Sequence, residues 1–403
     1  MSENIKINLE ETERENERFH RFSLISWWDQ ERLKNAKVLV IGAGALGNEI
    51  LKNLALLGIG NVLIADLDKI ENSNLSRSIL YRAEDNGQSK AATAAARVKE
   101  IYPDMNIHFF DGNVIYDLGA GVYHWADVVL GGLDNREARL SINRNCWRVN
   151  KPWIDGAIES IDGVARVFDP NKHLDGPCYE CTMSENDWKL LNKRRSCNLL
   201  TRDEMQGGKT PTTPTISSVI AGIQCQETVK LIHGLETIAG KGFNFNGLSC
   251  NSYLIEYTQN EDCMSHDPPQ DIISLQKRTD EMTVAGLQTL AKEALGEGTE
   301  LELGRDILEK LVCLSCGHEE NVFTSLGNVR LSQGICPQCG KDREVKTFYT
   351  IRGDVPFADK TLAEIGVPKF DIVWARNGVT LIGFEFNGDA AEVLGSLYRP
   401  TKE

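Results

Sequence analysis

The 403-residue sequence has no long apolar run, and no stretch approaches the roughly 18 residues that a membrane-spanning helix needs. Its opening stretch, MSENIKINLEETERENERF, is polar and acidic and lacks the apolar core of a secretory leader. The expectation is a soluble, cytoplasmic protein with no membrane partner. Positive charge is also short: 44 Lys and Arg stand against 58 Asp and Glu, a net charge of −14. Because neutralising phosphates dominates nucleic-acid affinity, that balance argues against nucleic acid as a main partner. Cysteine, by contrast, is present in number. Of 11 cysteines, six fall into three C-x-x-C pairs, which in a long chain without a leader point to metal before disulfides and to a reducing compartment. The length leaves room for about two to three domains.

The chain is organised around residues 37 to 90. An apolar run, Lys37 to Ile41, is followed by Gly42-Ala43-Gly44-Ala45-Leu46-Gly47, a helix-like segment to Leu57 and a second apolar run from Asn61 to Asp66. That order is strand, glycine turn, helix, strand. Gly42 and Gly44 suit a tight turn close to a phosphate, Gly47 suits close packing of helix on strand, and Asp66 can accept from ribose hydroxyls. A nucleotide belongs at the helix N-terminus, where free N–H groups and the dipole favour negative charge. Taken alone, the glycines mostly signal a dinucleotide-dependent oxidoreductase, of nicotinamide or flavin type. The next stretch, DLDKIENSNLSRSILYRAEDNGQSK, brings Arg77 and Lys90 back toward the same mouth, with Asp68 and Asn74 on the way. Two cations suit a triphosphate better than a pyrophosphate bridge.

Further motifs lie downstream. The helix-like AATAAARVKEIYP, the strand-like NIHFFD and DVVLGG, and then GGLDNREAR predict a parallel sheet with crossover helices, with Asp134 at its carboxyl edge. Asp134 there can cap the next helix or serve the ligand site. Taken together, GAGALG, ADLDKIENSNLSR, GQSK and GLDNREAR resemble the adenylation domain of the ThiF/MoeB/ubiquitin-activating (E1) superfamily over roughly the first 260 residues. The resemblance implies a Rossmann-like α/β domain that uses ATP to activate the C-terminal glycine carboxylate of a ubiquitin-like β-grasp protein. It places Arg77 and Lys90 on the phosphates, Asp66 on the ribose and Mg²⁺ at Asp134. Arg18-Phe19-His20-Arg21, otherwise a basic surface turn, matches a family motif whose second arginine enters the other protomer's ATP site. Arg21 would then act in trans, in a homodimer.

Cys178 and Cys181 supply half of a tetrahedral site, and Cys263 with His266 fits the other half, with Cys250 as the spare candidate. A structural zinc is expected. Between them, in a segment over 182–214, Cys197 follows Lys193-Arg194-Arg195, cations that favour a thiolate. It can be an inert loop thiol. The resemblance implies instead a thioester-forming cysteine that passes the modifier to an E2-like conjugating enzyme. A helix is predicted from Ser217 to His233, with Thr215 or Ser217 as N-cap, Gly234 after its end, and Ile216, Val219, Ile220 and Ile223 on one face. Cys225 and Cys146 read as core residues.

Past residue 268 the composition shifts, so 1–268 is expected to be the adenylation domain and 269–403 a C-terminal module. Cys313, Cys316, Cys336 and Cys339, with nineteen residues between the pairs, form a zinc ribbon over 311–341 that closes a second structural site. The flanking stretches predict a helix and strand over 283–308, then a strand, a short helix and a hairpin at Asn377-Gly378. They resemble a β-grasp domain interrupted by the ribbon, similar to the module with which E1 enzymes dock a conjugating partner. The chain ends without Gly-Gly and so is not expected to be an activated carrier itself. The rivals are a sulfur-carrier adenylyltransferase of the thiamin or molybdopterin type and a catalytically silent binding scaffold.

Overall fold

The computed structural model describes residues 17–172, 176–196, 211–266, 271–329 and 331–400. Strands β1 (Lys37–Ile41), β2 (Asn61–Ala65), β3 (Asn106–Phe110), β4 (Val128–Gly131) and β5 (Trp153–Glu159) are parallel, and β6 (Asp162–Phe168), β7 (Lys241–Asn246) and β8 (Asn251–Glu256) extend them antiparallel. The order β3-β2-β1-β4-β5-β6-β7-β8 makes one eight-stranded sheet. Crossover helices cover both faces, which explains the continuous apolar strands. Val38, Val40, Val62 and Ile64 face the helices α2 (Ala45–Leu57), α3 (Lys90–Ile101) and α7 (Pro214–His233). Leu39, Ile41, Leu63 and Ala65 face α4 (Ala120–Trp125) and α5 (Arg136–Arg148). A short helix, α1 (Gln30–Asn35), precedes β1, and α6 (Glu185–Ser196) follows the first cysteine pair.

The expected parallel sheet is therefore only the first five strands; the rest is an antiparallel extension. Helix α7 starts earlier than its sequence suggests. Thr213 is the N-cap, its hydroxyl accepting from the Ile216 N–H, and Pro214 occupies the first helical position, where its missing N–H costs nothing. Of the four residues expected on its inner face, Ile216 and Ile220 are buried and Ile223 is partly buried, whereas Val219 is exposed. Cys146 and Cys225 are buried, and burial pushes the Cys225 thiol up to about 12.

A second, six-stranded sheet holds β9 (Asp271–Leu275), β10 (Glu300–Val312), β11 (Glu319–Ser325), β12 (Glu344–Ile351), β13 (Ile372–Asn377) and β14 (Thr380–Phe386). Its first and last strands are parallel neighbours. The helix α8 (Val284–Leu295) packs on Val373 and Ala375, while Ile372 and Trp374, pointing the other way, join the core shared with α4 and α5. Asn377 pairs with Thr380, leaving a two-residue hairpin loop with Gly378 at φ +60°. The short helix expected after β12 is absent. Its backbone groups bond elsewhere: Leu362 N–H to Met282 O, Ala363 N–H to Thr279 O, and the Ala358 and Lys360 carbonyls to the start of α8.

The two sheets meet along a polar seam. The N-terminus of α4 has no side-chain cap of its own; Ala120 N–H donates to Asp371 Oδ1 at 2.7 Å and Gly121 N–H to the Phe370 carbonyl at 3.0 Å. Buried Arg305 pairs with Asp371 at 2.9 Å and donates to the Tyr116 carbonyl. Short helix α9 (Ala390–Leu394) completes the shared core.

Candidate active site

The glycine turn sits where β1 feeds α2. Gly42 has φ +94°, and a Cβ there would lie 2.5 Å from the Gly132 carbonyl oxygen; a Cβ on Gly47 would overlap the Gly42 carbonyl. Gly44 is the N-cap of α2 and has open space around it, so the first-turn N–H groups of the helix face the mouth. Asp66 braces this turn: Oδ2 accepts from Ala43 N–H and Oδ1 from Asp68 N–H, both at 2.7 Å. Burial raises its carboxyl above the usual carboxylate range despite the pull of Lys90. Lys90, the first residue of α3, places Nζ 2.9 Å from Asp68. Burial opposes its charge, but Asp66, Asp68 and Asp134 more than offset that and hold its pKa above the usual lysine value. The ammonium is thereby kept charged.

The structure thus brings Gly42, Gly44, Gly47, Asp66, Asp68, Lys90 and Asp134 to one sheet edge. Asp134 is exposed and does not cap α5; Asn135 does, accepting from Glu137 N–H at 2.9 Å. Asn74 closes a capping box with Glu71, and Arg77 Nη1 donates to the Ser73 carbonyl at 2.8 Å, so both help to shape their own turn. Arg21 lies elsewhere. Its 3₁₀ turn is anchored by Phe19 against Tyr102 and over Gly58, at the opposite end of α2, about 20 Å from the glycine turn of the same chain. Cys197 lies outside the described residues.

Sequence reasoning missed the residues that hold this mouth open. Buried Asn48 donates to the Ala43 and Gly44 carbonyls and accepts from Leu80 N–H, tying turn to loop. The Tyr81 hydroxyl lies 2.6 Å from the Ala43 carbonyl and 3.1 Å from that of Lys90. Both occur inside motifs singled out in the sequence, but nothing in residue type alone announces which backbone groups they reach.

Two clusters could hold metal. In the first, Cys178, Cys181, Cys263 and His266 converge within 4.8 Å. Cys178 Sγ is 3.8 Å from Cys181 Sγ and 3.5 Å from Cys263 Sγ, near the ~3.8 Å that a tetrahedral zinc with ~2.3 Å bonds sets between sulfurs. His266 turns Nε2 to the thiols, stacks on Trp147 at 4.6 Å and meets the Gln259 carboxamide through Nδ1. Cys250, the spare candidate, lies outside this cluster and is exposed. In the second, Cys313 and Cys339 lie 3.4 Å apart and Cys316 and Cys336 3.6 Å apart. Gly317 and Gly340, at φ +75° and +70°, turn two knuckles and donate back to the Cys313 and Cys336 carbonyls. Three thiols with one imidazole in the first and four thiols in the second, each a closed set of four, fit structural zinc.

A doubly wound sheet with a glycine turn, a bracing aspartate and a charged lysine at its carboxyl edge defines a nucleotide-phosphate-binding α/β domain. The ThiF family profile matches residues 16–265, and the chain belongs to that family. It is similar to the SAMP-activating enzyme E1 of Haloferax volcanii, 30% identical over 246 residues that cover 58% of this chain and 81% of that protein. It also resembles a SUMO-activating enzyme subunit, uba-2, of Caenorhabditis elegans (41% identical over 159 residues, 39% of this chain and 27% of that one). The sulfur carrier protein adenylyltransferase of Thermus thermophilus is 35% identical over 175 residues, 42% of this chain. The chain spans 27% and 65% of the last two relatives, less than two thirds of each. Among solved structures, E. coli MccB with ATP matches with a TM-score of 0.51 at 24% identity, over 62% of this chain and 74% of that one, a likeness of fold. No described helix is long and apolar enough to cross a membrane.

Proposed function

We propose that this protein adenylates the C-terminal glycine of a ubiquitin-like β-grasp protein with ATP, and that Cys197 then takes the acyl group as a thioester. The observation that carries the reading is the mouth of the glycine turn, where Asp66, Asp68, Lys90 and Asp134 cluster beside the free N–H groups of α2. A modifier carboxylate oxygen attacks the α-phosphorus, the bond to the bridging oxygen breaks, and pyrophosphate leaves with its electron pair. Lys90, Arg77 and a partner protomer's Arg21 balance the phosphate charge, with catalysis resting on positioning and fixed charge. Asp134 offers a hard oxygen ligand suited to Mg²⁺. The Cys197 thiolate next attacks the acyl carbon and AMP leaves. Transfer to an E2-like enzyme follows, in the cytoplasm and from a homodimer. The mixed sheet with α8 on one face supports a β-grasp-like docking role for the C-terminal module.

The relatives named for SUMO and SAMP activation favour this reading. The Thermus relative favours a second one, in which the adenylate goes to sulfur and no enzyme thioester forms. Non-reducing intact-mass spectrometry separates them, with Mg-ATP and a candidate β-grasp protein ending in glycine added to the wild type and to Cys197→Ala. A thiol-labile adduct of enzyme plus modifier minus water, lost in the variant, is expected. An adenylated modifier without enzyme adduct in either protein would move the assignment to the sulfur-carrier chemistry.

A further inference from the structure

Asp134 is exposed, its side chain forms no hydrogen bond among the described residues, and Asn135 caps α5, so the placement of Asp134 is set through its backbone. The loop before it is anchored at Gly132, whose N–H donates to the Ile41 carbonyl at 2.8 Å and whose α-carbon abuts Gly47. The last fixed atom before Asp134 is the Leu133 carbonyl oxygen. That oxygen is gripped by Nη2 of Arg139, which reaches back from the first turn of α5 and also donates to the Gly156 carbonyl at 3.0 Å.

Arg139 is itself held. It is 8% exposed, and its Nε donates to Asp155 Oδ1 at 2.9 Å. Asp155 is fully buried, and its other oxygen accepts from Arg166 Nη1 at 2.8 Å, across the β5–β6 pair that sets the two residues opposite each other. Arg166 Nε in turn donates to the Tyr257 hydroxyl at 3.3 Å. Removing one member of a buried charge pair is costly, so the chain holds a single arrangement. A planar guanidinium can bridge two carbonyls and a carboxylate at once; a lysine ammonium has no such fork.

We propose that Arg139 is a positioning residue for the nucleotide-linked metal: by clamping the Leu133 carbonyl it sets the Asp134 carboxylate, and Asp155 with Arg166 fixes the clamp. The inference rests on the reading of Asp134 as the Mg²⁺-linked carboxylate. Outer partners of this kind change metal affinity by about 10- to 100-fold when lost.

The test is the Mg²⁺ concentration that gives half of the metal-dependent gain in ATP affinity, measured calorimetrically on the full chain without modifier. Arg139→Lys keeps the charge beside Asp155 and loses the bridge. It should raise that midpoint about tenfold, as Asp134→Asn does, while metal-free ATP affinity, melting and zinc content stay near wild type. The double variant should add little, because both changes act through one group. Asp155→Asn, after which the Arg166 side chain, 21% exposed, can turn toward water, should shift the midpoint the same way by a few-fold. A folded Arg139→Lys with a wild-type midpoint, or one whose metal-free ATP affinity falls equally, overturns the proposal. If Arg139→Lys does not fold, an unshifted midpoint in folded Asp155→Asn does so. If Asp134→Asn has no effect although Mg-ATP binds, the reading of Asp134 fails first and the clamp with it.

Discussion

The two cysteine clusters use the same chemistry for different mechanical ends. The first joins chain segments 85 residues apart, with Cys178 fully buried. Its surroundings are equally long-range: Glu180, between the paired cysteines, takes both Arg144 of α5 and Ser265, and Trp147 of α5 backs His266. A metal there ties the antiparallel end of the large sheet to α5, the helix that follows Asp134. The second is closed by residues 313 to 339 alone, at the end of β10 where β11 and β12 flank it, with Cys316 and Cys339 exposed. Its neighbours are local: the partly exposed pair Lys310–Glu319, worth little, and Arg343, buried between Glu320 and the Gln333 carbonyl. Closing a long loop restrains the unfolded chain more than closing a short one, and a ribbon held by its own knuckles folds with its own metal.

That contrast predicts a ranking. Cys178→Ser should lose one of two bound zinc ions by elemental analysis and lower the stability of the part built on the eight-stranded sheet by ~3 kcal/mol or more, seen as an earlier main melting transition. Cys316→Ser should also lose one zinc, yet leave ATP affinity within about twofold and move the main transition by ~1 kcal/mol or less, because the ribbon opens locally. If it lowers the main transition as far as Cys178→Ser does, the two centres are not mechanically distinct. The smallest effect is expected for Gln259→Ala. Chelator competition should show zinc leaving the first centre with about tenfold lower affinity while the second centre is untouched and stability changes by ~0.5 kcal/mol or less.

Legibility in the sequence followed the range of the interactions. The ribbon could be read because its four ligands and two glycines lie within one local pattern. The strand, glycine turn and helix from Lys37 to Leu57 were legible for the same reason, as was the hairpin at Gly378. What escaped depended on distant neighbours. Asn48 and Tyr81 look like ordinary helix and loop residues until the chain brings Ala43 beneath them. Arg139 reads as a helix-surface cation until β5 and β6 place Asp155 beside it. Val219 fits an apolar stripe by spacing but turns outward, while Gln224, polar and buried, faces in to donate to the Gly131 and Ile154 carbonyls. The stretch after β12 has helical residues and no helix, since its backbone finds partners around α8 instead.

The seam at α4 makes the halves of the molecule tenants of one wall. Gly119 and Gly121 lie so close to the Phe370 backbone that a side chain at either would strike it, and Asp371 supplies the charge that the bare start of α4 lacks. A chain cut after residue 266 would therefore not be a clean nucleotide-binding half. It would carry an uncapped helix and lay open to water the apolar face of α4 and α5 that Ile372 and Trp374 cover, a surface prone to aggregate. Through that wall the two sheets share one buried ion pair and one core.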